Sequence, residues 1–307
     1  MELRHIRYFI AVAEEGHVTR AAERLGMQQP LLSQQIRALE RELDVQLFRR
    51  KPRGVELTDA GRALLGDARA IMAQVEHAFA STRRTARGEQ GRITIGFTSS
   101  APFHPFVPRV IRSFREAFPL IALTLEESGT TELIQDLREE RVDAAFIRTP
   151  VADPVGLRVD TLLEEAMLVA LPSQHVLARS RRGDDAAVAL KRLAGETFIV
   201  YRRHSGPGLY DAIIAACHAA GFSPLIGQEA PRIVSTLNLV AAGLGLSIVP
   251  ASLQRMHMDG VSYRRLTGTA QPRAPLLLAS RRGDTSPIVR QFLALVRQTA
   301  KAFRMDR

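Results

Sequence analysis

Between Arg24 and Glu40 the chain reads RLGMQQPLLSQQIRALE, with Gly26 and Pro30 interrupting sequence that is helical in pattern on both sides. Upstream, HVTRAAERL places Val18, Ala21, Ala22 and Leu25 at helical spacing, with two alanines small enough for close packing. Gly26 suits the end of that helix, because glycine accepts positive φ without steric cost. Pro30 suits the first turn of a new helix, where its missing N–H is no loss. In the new helix Leu32, Ile36, Leu39 and Leu43 form one buried stripe, Ser33, Gln34 and Arg37 lie opposite it, and Gln29 stands at the entrance. Two helices joined by a short Gly-containing turn make a helix-turn-helix. Its second helix enters the DNA major groove, where Gln can pair with adenine and Arg with guanine. An ordinary antiparallel helix pair with a solvated polar face would carry the same pattern, so the flanking sequence has to decide.

Downstream, DVQLFRRKPRGVELTDAG sets Leu47 and Phe48 before, and Val55 and Leu57 after, a Pro-Arg-Gly tip. That suits a β-hairpin wing whose Arg and Lys residues meet phosphates. The run FRRKPRG packs Arg49, Arg50, Lys51 and Arg53 into seven residues. Upstream, LRHIRYFIAVAEE supplies Leu3, Ile6, Phe9, Val12 and Ala13 for a small core. Three helices and a basic wing make a winged helix-turn-helix. With LRHIRYFIAVAEEGHVTRAAERL, QQPLLSQQIRALERELDVQLFRR and RGVELTDAG in this order, the chain resembles the LysR-type family of bacterial transcriptional regulators. The resemblance covers the first 60 residues densely and continues to the C-terminus. It implies that Gln29, Pro30, Ser33, Gln34 and Arg37 face double-stranded promoter DNA, and that Arg53 contacts the minor groove or backbone. Thr19 and Arg20 on the preceding helix, and Arg50 in the wing, complete the DNA-facing set. Position 34 is often Arg in the family and is Gln here, so the docking mode carries over and the base preference does not.

Thr58 and Asp59 are N-cap types and open a long helix from about Ala60 to Ala86. Leu64, Ala68, Ile71, Val75, Ala78 and Thr82 recur at alternating steps of four and three, a heptad-like seam suited to pairing two copies. Packing of this helix on its own domain is the competing reading. TARGEQGR, residues 85–92, ends it with polar residues and two glycines. The expected domains are a winged helix-turn-helix over 1–58, a linker helix and hinge over 59–91, and an effector-binding domain over 92–307.

A chain of 307 residues has room for that division, since single cores rarely grow past roughly 250 residues. Hydrophobic residues at 46% and charged residues at 24% are ordinary for a folded globular protein. The net charge of +10 favours an anionic partner, but the basic excess is spread along the whole chain and is weaker support for DNA than the local cluster at 48–54. Cys217 is the only cysteine, which excludes an internal disulfide and suits a reducing compartment. The start MELRHIRYFIAVAEEG is charged early and does not read as a signal peptide, and no window is apolar enough to span a membrane. These features point to the cytoplasm and to no membrane partner.

From Arg92 the pattern changes to α/β. RITIGFTSSAPF reads as a strand, FVPRVIRSFREAF as a helix, IALTLEESG as a strand, TTELIQDLREER as a helix and DAAFIR as a strand. A second set, MLVALP, FIVYRR, a helix over 207–220, STLNLVAAG and LSIVP, follows, and PLLLASRR with a helix from Ser286 to Phe303 closes the chain. This alternation implies a parallel sheet with covering helices in two lobes. Lobe I takes about 92–161 and 268–303, and lobe II about 162–267. The arrangement resembles the family's periplasmic-binding-protein-like effector domain.

Ligands of such sheets sit at the carboxyl ends of strands, beside helix N-termini. Ser99 and Ser100, then Gly129 and Thr130, then Arg148 occupy three such ends. Hydroxyls and an arginine describe a receptor for a small carboxylate, which Arg can clamp bidentately. Ser and Thr at strand-to-helix junctions also serve simply as N-caps. The segment is most similar to the subgroup sensing muconates, benzoates and chloroaromatic breakdown products, whose pocket residues match Ser100, Thr130 and Arg148. In the second lobe Tyr201 and Arg202 of YRRHSGPG join the effector set; Arg202 and Arg203 replace less charged residues usual there. The resemblance further implies a homo-oligomer, a dimer of dimers, and a contact with RNA polymerase.

An enzyme is the rival class. There is no nucleophile elbow, phosphate-cradling Gly-rich loop or paired Cys/His set, so no catalytic residue, cofactor or metal is expected. His104, His175, His204, His218 and His257 are scattered without metal-ligand spacing, and Cys217 in AIIAACHAAG lies on an apolar helix face. A sequence-neutral architectural DNA binder would not need two α/β lobes.

Overall fold

The computed structural model describes residues 1–52, 54–151, 154–179, 187–203, 207–268 and 271–305. The chain forms two compact units, Met1–Thr85 and Ala86–Arg307.

The first unit opens with α1 (Leu3–Glu15), α2 (Val18–Arg24) and α3 (Gln29–Leu43). Helix α1 buries Ile6, Phe9, Ala11 and Val12, while Leu3 is exposed and Ala13 only half-buried; the core face therefore runs through Ala11 rather than Ala13. Helix α2 ends as its glycine predicts. Gly26, at φ +64°, donates to the Glu23 carbonyl and Met27 donates to that of Ala22, the paired bonds of a Schellman motif. Pro30 sits in the first turn of α3, which buries Leu32, Ile36 and Leu39. Leu43 does not complete the stripe: the helix ends at Asp44 in the left-handed region, and Leu47 fills the core instead.

The wing is β1 (Phe48–Lys51) paired antiparallel with β2 (Gly54–Leu57). It is anchored twice. The Glu40 carboxylate accepts the N–H groups of Leu47 at 2.8 Å and Phe48 at 3.2 Å, and Val55 N–H donates to the Gly16 carbonyl. A Cβ at Gly54 would lie 2.2 Å from that same carbonyl oxygen, so only glycine fits where β2 crosses the α1–α2 turn. Glu40→Ala removes a charge-assisted acceptor shared by two backbone donors. It is expected to destabilise the first unit by about 1.5–3 kcal/mol, read as a shift in the urea midpoint.

Helix α4 (Asp59–Ala86) is capped by the Thr58 hydroxyl, which accepts from Gly61 N–H at 3.0 Å. Its 28 residues span about 42 Å. The expected single seam is divided. Leu64, Leu65, Ala68 and Met72 pack on the helix-turn-helix core, whereas Ile71, Ala78 and Thr82 are exposed together with Phe79.

In the second unit the strands are β3 (Gln90–Phe97), β4 (Leu120–Glu127), β5 (Ala144–Ile147), β6 (Leu157–Pro172), β7 (Val188–Ala189), β8 (Thr197–Tyr201), β9 (Leu225–Ala230), β10 (Ser247–Pro250), β11 (Val261–Thr267) and β12 (Arg273–Arg281). The helices are α5 (Phe106–Ala117), α6 (Thr130–Arg138), α7 (Pro207–Ala219), α8 (Ile233–Ala241) and α9 (Pro287–Met305). The large sheet runs β4-β3-β5-β12-β6-β11-β7, with β10 also on β6, while β8 and β9 form a separate pair.

The sheet is mixed, not parallel as the alternation suggests. β3 is parallel to β4 and β5, but β12 is antiparallel to both β5 and β6, and β10 and β11 are antiparallel to β6. The cause is β6, sixteen residues long: its first part pairs with β12 and its last part with β10 and β11, so one strand serves both lobes. One core, under α5 and α9, holds Phe106, Phe114, Phe146 and Phe292, with the last and Phe114 edge-to-face at 5.2 Å. A second core, under α7, holds Phe198, Val200, Ile213, Cys217 and Ile248, and smaller clusters lie under α6 and α8. Burial pushes the Cys217 thiol up to about 11, consistent with packing rather than redox chemistry.

Candidate DNA-facing surface and effector cleft

On α3, Gln29, Pro30, Gln34 and Arg37 are exposed and Ser33 is half-buried. Gln29 donates its amide N–H to the Ser33 hydroxyl at 2.8 Å, so these two side chains act as one unit. The amide of Gln34 and the guanidinium of Arg37 have no partner among the described residues, which leaves both donor sets open to base edges. Thr19 and Arg20 are exposed at the start of α2; Arg20 donates to the Glu15 carbonyl at 2.7 Å and so closes the end of α1.

The hairpin register sorts the wing cations. Arg49 lies opposite Glu56 and Arg50 opposite Val55. Because side chains alternate, Phe48, Arg50, Val55 and Leu57 share one face and Arg49, Lys51 and Glu56 share the other. Arg50 is exposed and without a partner among the described residues. Arg49 and Lys51 are both tied to Glu56 Oε2, the former at 3.0 Å. These two cations hold the Glu56 carboxyl down to about 2, the Lys51 contact acting most strongly. Arg53 lies outside the described residues.

In the second unit the structure brings Ser99 and Tyr201 together, Oγ to phenolic oxygen at 3.1 Å, although they are a hundred residues apart in sequence. Burial, only partly offset by the Ser99 contact, raises the Tyr201 phenol, which therefore stays protonated. Two further bridges join the same halves. The Thr149 hydroxyl accepts from Gly208 N–H at the start of α7 at 2.9 Å, and Arg232 at the head of α8 pairs with Glu127 at the end of β4 at 2.9 Å. Thr130, in the first turn of α6, and Thr98, just past β3, are buried, and neither hydroxyl has a partner among the described residues. Sequence reasoning passed over Thr98. Thr130 also lines a cavity of about 840 Å³ shared with Thr149, Arg203 and Pro207, within the size range of small-molecule sites. Arg202 is exposed, and Arg203 pairs with Asp211 at 2.8 Å.

Arg148, expected as a carboxylate clamp, is engaged internally. It is 2% exposed, and its guanidinium donates to Glu165 Oε1 at 2.7 Å and to the carbonyls of Ser100, Ala274 and Pro275 at 3.3–3.4 Å. Glu165 in turn accepts from the Ser252 N–H at 2.7 Å and its hydroxyl at 3.1 Å. The two terminal nitrogens are thus engaged by an internal carboxylate and three carbonyls, while Nε has no partner among the described residues; burial lowers the guanidinium from its usual range and Glu165 opposes that shift. Ser100 is buried and takes part in this network through its backbone carbonyl. Glu165 and Ser252 were not visible as site residues in the sequence; a carboxylate set directly against the apolar run AMLVAL was the available sign. Among the described residues no group of His, Cys, Asp and Glu could hold a metal ion, and no helix is long and apolar enough to cross a membrane.

Comparison with known proteins agrees with this division. A family model described as "Bacterial regulatory helix-turn-helix protein, lysR family" matches residues 3–62, and one described as "LysR substrate binding domain" matches residues 86–301. The regulator AlsR of Bacillus subtilis is 36% identical over 293 residues, covering 95% of this chain and 94% of its own. CatR of Pseudomonas putida is 36% identical over 301 residues, covering 98% and 100%. The full-length crystal structure of CbnR with its target DNA superposes with a TM-score of 0.83 at 29% identity, covering 98% of this chain and all of that one. These relatives are transcriptional regulators, not enzymes, and a winged helix-turn-helix followed by a two-lobed domain is the order found here. The chain belongs to the LysR family of bacterial regulatory proteins.

Proposed function

We propose that this LysR-family regulator reads promoter DNA with Gln29, Ser33, Gln34 and Arg37, assisted by Thr19, Arg20, Pro30 and the wing cations Arg50 and Arg53. A small carboxylate bound between the lobes of the second unit controls that binding. The observation that carries the effector site is a pair of buried hydroxyls without partners among the described residues, Thr98 just past β3 and Thr130 in the first turn of α6. A buried hydroxyl without a partner is costly, and a ligand oxygen would satisfy it. The helix N-terminus favours a negative charge there. Ser99 and Tyr201 stand across the cleft, and Arg202 adds an exposed cation without a partner among the described residues on the second lobe. Arg148 acts from behind, fixing Ser100 rather than touching the ligand. An aromatic or dienoic acid suits this mix of hydroxyls and a cavity whose wall also carries Ile134, Pro150, Val151 and Pro207.

Closure on the effector shifts the balance between two placements of the DNA heads, by the difference in its affinity for each. The exposed Ile71 and Phe79 on α4 fit pairing with a second copy, which would hold two recognition helices about 34 Å apart. Two such dimers make the tetramer, acting on promoter DNA in the cytoplasm in contact with RNA polymerase. The domain limits that follow are 1–58, 59–91 and 92–307. A ligand-independent repressor is the alternative, and the cleft experiment separates the two.

Titration with benzoate and with a dienoic diacid is expected to raise the melting temperature, and the corresponding amides are expected not to. Thr98→Val and Thr130→Val keep shape and lose the hydroxyl. Each is expected to weaken acid binding about 10- to 100-fold, the size of a hydrogen bond to a charged group. Unchanged affinity in both variants rejects this pocket, and no response to any acid favours the ligand-independent reading.

A further inference from the structure

The wing carries more positive charge than it presents. Arg49 and Lys51 both reach the same oxygen of Glu56, and all three side chains lie on the face turned away from the helical core. Glu56 is placed for this by register: it is the direct cross-strand neighbour of Arg49, and Lys51 is two residues along the same face. Arg50, on the opposite face, is left free. The outward face therefore shows one net positive charge where the sequence FRRK suggests two.

We propose that Glu56 is a specificity-determining residue that occupies Arg49 and Lys51 in place of DNA phosphates. The carboxylate is a tethered competitor: any phosphate approaching this face must displace it from one cation or both. Phosphate contacts raise affinity for every sequence alike, whereas the α3 side chains distinguish sequences. Restraining two phosphate-seeking cations thus lowers binding to arbitrary DNA while leaving base readout intact. The pair is exposed, so the restraint is weak enough to be overcome at a well-fitted site. This inference rests on the DNA-binding role of the first unit and adds the element that sets its selectivity.

The test is E56Q, which keeps size and removes the charge. Binding of the full-length protein to a random-sequence duplex is followed by anisotropy between about 50 and 200 mM salt. Freeing two cations is expected to steepen the slope of log K against log salt by about 1 to 2 for each wing in contact, so that the affinity lost across this range grows about 3- to 12-fold per wing. The affinity ratio between a selected high-affinity duplex and the random one is expected to fall. In an R49Q/K51Q background the same E56Q change is expected to leave the slope unaltered, and all variants should melt as the parent does. An unchanged slope in E56Q overturns the proposal. So does weaker binding to both duplexes, which would mean that Glu56 orients the cations toward phosphate. An E56Q effect that persists without Arg49 and Lys51 overturns it too, since Glu56 would then be repelling DNA directly. Absence of any salt-dependent DNA binding by the parent protein would instead reject the DNA-facing assignment itself.

Discussion

Arg148→Ala is expected to destabilise the second unit by about 3–5 kcal/mol, the usual cost of stripping one partner from a buried ion pair. The reason lies in what remains. Glu165 would stay buried, with Ser252 as its sole donor, and the carbonyls of Ser100, Ala274 and Pro275 would lose the guanidinium that now joins them. Replacing both charges, as in Arg148→Met with Glu165→Met, removes the stranded carboxylate and is expected to recover most of the loss, because apolar pairs of similar volume often match a buried salt bridge. Urea unfolding of the two variants decides the matter. A single variant as stable as the parent would mean that the pair is not buried in solution. A ligand clamp, by contrast, would show normal stability with a lost effector response.

Arg37→Ala carries the second large effect. A bidentate contact to guanine is worth about 1–3 kcal/mol, and a dimer makes it at two half-sites, so operator affinity is expected to fall by about 2–6 kcal/mol. Affinity for random DNA should change little, because the guanidinium has no partner among the described residues and its removal leaves none of them unsatisfied. Anisotropy on operator and random duplexes separates the two terms. If both affinities fall together and the salt slope shallows by about 2, one for each half-site, Arg37 contacts a phosphate and not a base. Retained operator preference would take α3 out of the major groove.

The first unit was legible because its signals are local. Gly26 and Pro30 each state a backbone requirement within one turn, and Thr58 caps α4 from the adjoining position. What failed there depended on tertiary neighbours. Leu43 leaves the core because Leu47 occupies it, and the α4 seam divides because the helix-turn-helix core claims Leu64, Ala68 and Met72. In the second unit LRVDTLLEEAMLVALP was read as a strand only from Met167, since Asp160, Thr161, Glu164 and Glu165 break the apolar run. Asp160 is accommodated by its strand neighbour Arg158 and by Arg297, and Glu165 by Arg148 and Ser252; the last three are partners that no local pattern announces. The edge strand β9 was missed for a related reason: LIGQEA is exposed along nearly its whole length and lacks alternation. Candidate hydroxyls at strand ends could be named from the sequence, whereas the buried partner of Arg148 could not, because Glu165 lies on another strand.

The length of β6 restricts how sequences of this kind can diverge. Deleting or adding one residue near Ala166 would leave the pairing with β12 in place and turn every later side chain to the opposite side, exchanging Met167, Val169 and Leu171 of the core under α7 with Leu168 and Ala170, which are buried on the other face. Gaps should therefore accumulate in the loops on either side of this segment while its residue count stays constant. Drift within it is confined to substitutions.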